Sequence, residues 1–184
     1  MNELRLLGLT LNIFSLIRSA LLVIIFGAFL VVFLGVPLPI NGNSMVPNFE
    51  SGELVIIEKV SYFGDKPIKR GDVVAARFPA DPKNTRLIKR VVGLPGEIIE
   101  YRDQKFIING NELTEKYEIT EGAPPYKEIE TIKLKDGEYF LVGDNRPGSS
   151  DSRLWGPVQR NDIQGRASFV LFPVSNWRYI DRLQ

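Results

Sequence analysis

The sequence predicts a mainly β protein, a β-rich domain carried on one N-terminal transmembrane helix. Three observations lead there. A long uncharged apolar stretch lies near the N-terminus, short apolar runs follow glycine-acid pairs along the rest of the chain, and no helical period appears beyond that stretch.

Between Arg18 and Glu50 there is no charged side chain, and residues 20–36 are almost wholly Leu, Val, Ile, Phe, Ala and Gly. A helix needs roughly 20 apolar residues to cross a bilayer core, and residues 19–40 supply them. Pro37 and Pro39 then end the helix, because proline brings no backbone donor. A cleaved leader would have a shorter core followed by a small-residue site, and Gly35-Val36-Pro37 is a poor one. A buried core helix would keep a polar face, which this segment lacks. The reading is a membrane anchor over residues 19–39. Arg5 and Arg18 precede it, and nothing basic follows until Lys59. Basic residues favour the cytoplasmic side, so residues 1–18 form a cytoplasmic or interfacial N-terminus and residues 40–184 lie outside. Residues 6–17, apolar but interrupted by Asn12, extend the anchor or lie along the interface.

Beyond the anchor, Gly52-Glu53 precedes an apolar run at 54–57, and Gly71-Asp72 one at 73–78. Gly96-Glu97 precedes 98–101, Gly137-Glu138 precedes 139–142, and Gly165 leads into 167–172. Short apolar runs bounded by Gly, Pro, Asp and Asn are strand signals. Residues 98–113 read as a hairpin turning at Asp103-Gln104, with a second tight turn at Asn109-Gly110. Residues 114–136 are more polar and contain Pro124-Pro125. They suggest a small accessory excursion over about residues 100–137.

Charge excludes a nucleic-acid partner. With Glu3, Arg5 and Arg18 set aside, 21 basic and 21 acidic side chains cancel, whereas phosphate binding needs a clustered basic excess. The chain has no cysteine, hence no disulfide framework. It has no histidine either, so a hydrolase built from it uses neither a Ser-His-Asp triad nor a cysteine nucleophile.

Three segments carry candidate chemistry. Gly42-Asn43-Ser44-Met45 lies just past the anchor, with a glycine that lets the backbone bend close to a ligand; a linker serine would look the same. In Ile88-Lys89-Arg90, alternation puts Leu87, Lys89 and Val91 on one face. If that face is buried, desolvation disfavours the ammonium. A fall from about 10.4 to near 8, roughly 3 kcal/mol, would make Lys89 a usable base. A solvated edge-strand lysine fits the pattern equally. The third, from Gly143 to Gly156, holds Asp144, Arg146, Ser149, Asp151 and Arg153, enough for a hydrogen-bonded ionic network or for a solvated surface turn.

Taken in order, the segments resemble the bacterial type I signal peptidases, the membrane-bound Ser-Lys leader peptidases. The matching pieces are the anchor, Gly42-Asn43-Ser44-Met45-Val46-Pro47, Gly52-Glu53-Leu54-Val55 and Arg70-Gly71-Asp72-Val73-Val74. Ile88-Lys89-Arg90-Val91-Val92-Gly93-Leu94-Pro95-Gly96 and the Gly143 to Gly156 segment continue the match. The resemblance implies Ser44 as nucleophile, Lys89 as general base and Ser149 as the hydroxyl that bonds the lysine. Asp151 and Arg153 match the family's supporting ion pair, and Asp144 and Arg146 its structural partners. Ile40, Gly42, Met45, Leu87 and Ile88 match positions around a groove for small side chains at the first and third positions before the cut. In the family the nucleophile's own N–H holds the oxyanion, in some members with a hydroxyl two residues earlier. Gly42 cannot supply that hydroxyl, and Asn48 stands where threonine or serine is frequent.

The implied activity is cleavage of N-terminal signal peptides from exported preproteins at the outer face of the cytoplasmic membrane. The implied partners are those signal peptides, membrane lipid and, by proximity, the protein-export channel. No metal or cofactor is expected, because His and Cys ligands are missing and the carboxylates sit beside arginines. Self-cleaving Ser-Lys repressors share the dyad but are soluble and bind DNA. A membrane-tethered binder of exported chains is the non-enzymatic alternative.

Overall fold

The computed structural model describes the backbone of residues 2–64, 66–79, 81, 83, 85–122 and 129–182. Side chains are described over the same ranges except residues 2–11, 28, 30–34, 129 and 130. Helix α1 (Asn2–Leu34) leads into β1 (Val36–Pro39), β2 (Leu54–Glu58), β3 (Val73–Arg77) and β4 (Arg86–Gly93). Then come β5 (Ile98–Arg102), β6 (Lys105–Ile108), β7 (Asn111–Glu112), β8 (Ile129–Lys133) and β9 (Glu138–Val142). A one-turn helix α2 (Ser152–Trp155), β10 (Val158–Gln159), β11 (Ile163–Phe172) and β12 (Arg178–Tyr179) complete the chain. The protein is mainly β.

The helix differs from the sequence expectation at both ends. It begins at Asn2 and stops at Leu34, and Val36–Pro39 forms a strand rather than the last helical turn. Gly35, at φ +94, turns the chain out of the helix. Pro37 and Pro39 then lie on the sheet's outermost strand, where missing donors are tolerated. Residues 12–26 of α1 are all exposed, including Phe14, Leu16 and Val23. Among the described residues no helix is long and apolar enough to cross a membrane. Arg5 and Pro124-Pro125, on which expectations were placed, fall outside the described side chains.

One antiparallel sheet runs in the order β1-β2-β11-β3-β4-β9-β10, with β12 added to β11. A second runs β7-β6-β5-β8. The glycine-acid pairs close four similar turns. Gly52, Gly71, Gly96 and Gly137 all hold positive φ, as the third residue of a type II turn requires. The acid that follows accepts from the N–H three residues back: Glu53 from Glu50, Asp72 from Lys69, Glu97 from Leu94 and Glu138 from Lys135. Each strand therefore starts from a turn whose donors are already satisfied.

Gly165 departs from that pattern and lies inside β11. A Cβ there would come within 2.6 Å of the Glu58 carbonyl oxygen, so the residue is glycine for close strand approach, not for a turn. The two tight turns after β5 follow the sequence, with Asp103, Gln104, Asn109 and Gly110 all at positive φ.

Three apolar clusters fill the structure. One holds Ile40, Met45 and Phe49 against Val55, Ile88 and Val170. A second gathers Val74, Ala76 and Val91 with Leu141, Val158 and Ile163. The third packs the second sheet through Tyr101, Phe106 and Phe140. Because Ile88 belongs to the first and Val91 to the second, β4 is covered on both faces. That coverage is what strips water from Lys89.

Candidate active site

Ser44 sits in a turn held at its base by two backbone bonds, Ile40 N–H to Glu53 O at 2.8 Å and Gly52 N–H to Ile40 O at 2.9 Å. Gly42, at φ +93, starts the turn, and its N–H donates to Ser51 Oγ at 3.1 Å. Met45 then drops into the core at 1 % exposure, fixing the neighbouring serine through the backbone. The Ser44 N–H donates to no acceptor among the described residues. A Cβ at Gly42 would meet nothing within 4 Å, so open space lies where a side-chain donor would stand.

Lys89 occupies the middle of β4 opposite Val74 and is 1 % exposed. Its ammonium nitrogen Nζ donates to Ser44 Oγ at 2.7 Å and to the Ile88 carbonyl at 3.0 Å. Burial pushes its pKa from an ordinary 10.5 down to about 8, overcoming the opposing pull of Asp151 and Asp144. A neutral amine beside a hydroxyl at that distance can take its proton. Pro39, Ile40, Met45, Leu87 and Ile88 line a cavity of about 200 Å³ that opens onto both Ser44 and Lys89.

The loop after β9 packs against the serine turn. Asn145 donates its N–H to the Ser44 carbonyl at 3.1 Å and its Nδ2 to the Asn43 carbonyl at 2.9 Å. Asp151 caps α2 and accepts from the Gly143 N–H at 3.0 Å. It also binds Arg153 through both oxygens, at 2.9 and 2.7 Å, with both side chains fully buried.

Asp144 and Arg146 do not pair with each other. Strand register puts Val142 opposite Arg90, so Asp144 just beyond meets the Arg90 guanidinium at 2.8 and 2.6 Å. Arg146, further round the loop, bonds Glu115. Ser149 is buried, but its hydroxyl has no hydrogen-bond partner among the described residues, Lys89 included. A Cβ on Gly143 would stand 2.2 Å from Ser149 Oγ and 2.4 Å from the Ser44 carbonyl oxygen. Both groups press on the same bare glycine.

The profile of the family described as "Signal peptidase, peptidase S26" matches residues 13–172. The chain belongs to the signal peptidase family, peptidase family S26. It is a serine peptidase. The chain is 31 % identical to the signal peptidase I of Bacillus licheniformis over 92 % of its own length and 94 % of the relative's. It is 34 % identical to the probable signal peptidase I-1 of Synechocystis sp. over 79 % of its own length and 75 % of the relative's. A crystal structure of a signal peptidase I from Enterococcus faecalis V583 aligns at 33 % identity and a TM-score of 0.46, covering 57 % of this chain and 100 % of that one.

In this signal peptidase family member several residues outside the expected site set support the serine turn. Asn48 donates to Asp144 Oδ2 at 2.9 Å and to the Glu118 carbonyl at 2.7 Å. Thr120 donates its hydroxyl to the Val46 carbonyl at 3.1 Å and pairs with Asn145. Residues 118–120 of the polar segment that read as an excursion thus lie across the serine turn. Arg178 grips the turn from the far end of the chain, through Glu53 and the Asn48 carbonyl. Gly52-Glu53 and the departure at Asn48 were the hints of these roles, since polar partners so distant in sequence leave no local pattern.

Proposed function

We propose that this chain is a membrane-anchored serine endopeptidase that removes N-terminal signal peptides from exported preproteins. Ser44 is the nucleophile and Lys89 the general base. The observation carrying the reading is the 2.7 Å contact from Lys89 Nζ to Ser44 Oγ, made by a lysine whose pKa burial brings to about 8.

Ser44 Oγ attacks the carbonyl of the last signal-peptide residue while its proton passes to Lys89 Nζ. The oxyanion is met by the Ser44 N–H, which has no competing acceptor among the described residues. Collapse breaks the peptide bond, and Lys89 returns the proton to the departing amine of the mature chain. An ester joins Ser44 to the signal-peptide carboxyl. The amine, neutral again, deprotonates the water that hydrolyses this ester. Ile40, Met45, Leu87 and Ile88 wall a cavity of about 200 Å³, a volume suited to small side chains at the first and third positions before the cut. Asp151, Arg153, Asp144 and Arg146 hold the loop that braces the serine turn, and Ser149 stands beside it as the second hydroxyl.

The uncharged sequence between Arg18 and Glu50, with residues 12–26 apolar-rich and unpacked, supports a single membrane anchor in α1, ending by Leu34 rather than at residue 39. Lipid is the solvent such a helix needs. The N-terminus is then cytoplasmic and the catalytic domain, which begins with β1 at Val36 rather than at residue 40, faces outward beside the export channel. Cleavage of a preprotein by wild type and by Ser44→Ala, in detergent or vesicles, tests the reading. Loss of product with Ser44→Ala is expected; equal cleavage removes Ser44 as nucleophile.

A further inference from the structure

A cavity of about 520 Å³ lies apart from the one beside Ser44. Lys59, Arg86 and Arg160 line it, with Val36, Ile57 and Tyr62 among its apolar walls. None of the three cations forms a salt bridge among the described residues, and no carboxylate lines the cavity. Glu58, the nearest acid in sequence, is held by Arg166 at 3.1 Å. Arg160 lies 5.2 Å from the Tyr62 ring centre and reaches the Tyr62 carbonyl at 3.4 Å, so its guanidinium is oriented by the wall. Three like charges without a counter-ion repel one another, and an anion relieves that repulsion.

The cavity's position selects the anion. Val36 is the second residue after α1 ends at Leu34. Two extended residues span about 7 Å, and the headgroup layer beyond each edge of the hydrocarbon core is about 5–8 Å deep. Chain continuity therefore keeps Val36 at headgroup depth when the helix is in a bilayer. We propose that this cavity binds the phosphate of an anionic phospholipid headgroup at the foot of the anchor. Lys59, Arg86 and Arg160 hold the phosphate oxygens, and Val36 and Ile57 cover the glycerol end. Arg86 also lines the cavity beside Ser44 and Lys89, so a bound lipid borders the place where the substrate is cut. The proposal rests on the anchor reading above.

The full chain is incorporated into nanodiscs of mixed phosphatidylglycerol and phosphatidylcholine, and lipids retained on release are counted by native mass spectrometry. Wild type retains phosphatidylglycerol roughly fivefold or more in preference to phosphatidylcholine. The double variant Lys59→Gln/Arg160→Gln, altered only at the cavity's rim, loses that preference. Inorganic phosphate at millimolar concentration is the second arm. Competition by phosphate in wild type alone assigns the recognition to the phosphate group, and its failure to compete requires the lipid's glycerol end as well. Equal retention of both lipids by wild type, or an unchanged preference in the variant, overturns the proposal. So does a variant whose only change is a higher KM for acidic peptides, which assigns the cavity to substrate. Failure of the chain to enter nanodiscs at all overturns the anchor reading instead.

Discussion

Arg178 binds Glu53 through two nitrogens, at 2.8 and 2.9 Å, across 125 residues of sequence. The same guanidinium donates to the Asn48 carbonyl at 2.7 Å, so both halves of the serine turn hang on one side chain. Burial opposes charge on Glu53, but hydrogen bonds from Arg178 and Asn176 outweigh it and hold the carboxyl below its ordinary range. Arg178→Met leaves that carboxylate buried without its partner. With Arg178 itself 37 % exposed, the expected loss is about 2 kcal/mol, below the range for a fully buried pair. Thermal unfolding measures it. Glu53→Gln/Arg178→Met should lose less than the two single changes combined.

Cleavage should rise with pH toward a plateau. As the proposed base, Lys89 accepts the Ser44 proton only when neutral, and with its pKa near 8 about one enzyme in ten is competent at pH 7. Single-turnover rates should fall about tenfold per pH unit below 7. A rate flat from pH 5 to 8 contradicts Lys89 as base.

Lys89→Met should abolish cleavage yet stabilise the fold. A lysine whose native pKa lies below its unfolded value destabilises the native state most below pH 8. Between about 8 and 10.5 the unfolded chain holds more protons, so wild-type stability rises with pH there. At pH 7 the variant should gain up to about 3 kcal/mol, shrinking toward zero by pH 10.5. Denaturant midpoints at the two pH values test both the sign and the window.

Gly143→Ala should be among the most damaging single substitutions. The added methyl would collide with Ser149 Oγ at 2.2 Å and with the Ser44 carbonyl at 2.4 Å. A loss of roughly 2–3 kcal/mol is expected from overpacking, with cleavage falling further because the serine turn is pushed. Ser149→Ala, by contrast, removes a buried hydroxyl with no partner among the described residues. It should leave unfolding within about 1 kcal/mol of wild type.

Arg90→Met should cost roughly 3–5 kcal/mol, because Asp144 is 0 % exposed and would lose two charge-assisted bonds. Hydrogen exchange should show faster opening at residues 143–146, ahead of the rest of the sheet.

The strands were legible because their cues are local. Gly52, Gly71, Gly96 and Gly137 each closed a turn whose acid folds back on the chain, and Asn109-Gly110 made the tight turn its residue types demand. Ser44 and Lys89 stood out because histidine and cysteine were missing. Gly165 misled because a glycine that permits strand contact looks, in sequence, like one that makes a turn. Val36–Pro39 misled because prolines that end a helix can still form an edge strand. Asn145, Thr120, Arg90 and Arg178 were invisible as site residues, since their partners lie tens of residues away in sequence.

The clamp on Glu53 has a bearing on how the enzyme comes into being. A ribosome delivers the chain from its N-terminus, so the alcohol and the amine are both made long before the guanidinium that braces them. During that interval the half-made protein carries Ser44 and Lys89 with the supporting strut still unsynthesised. The brace on the serine turn therefore closes only after about ninety further residues have followed Lys89.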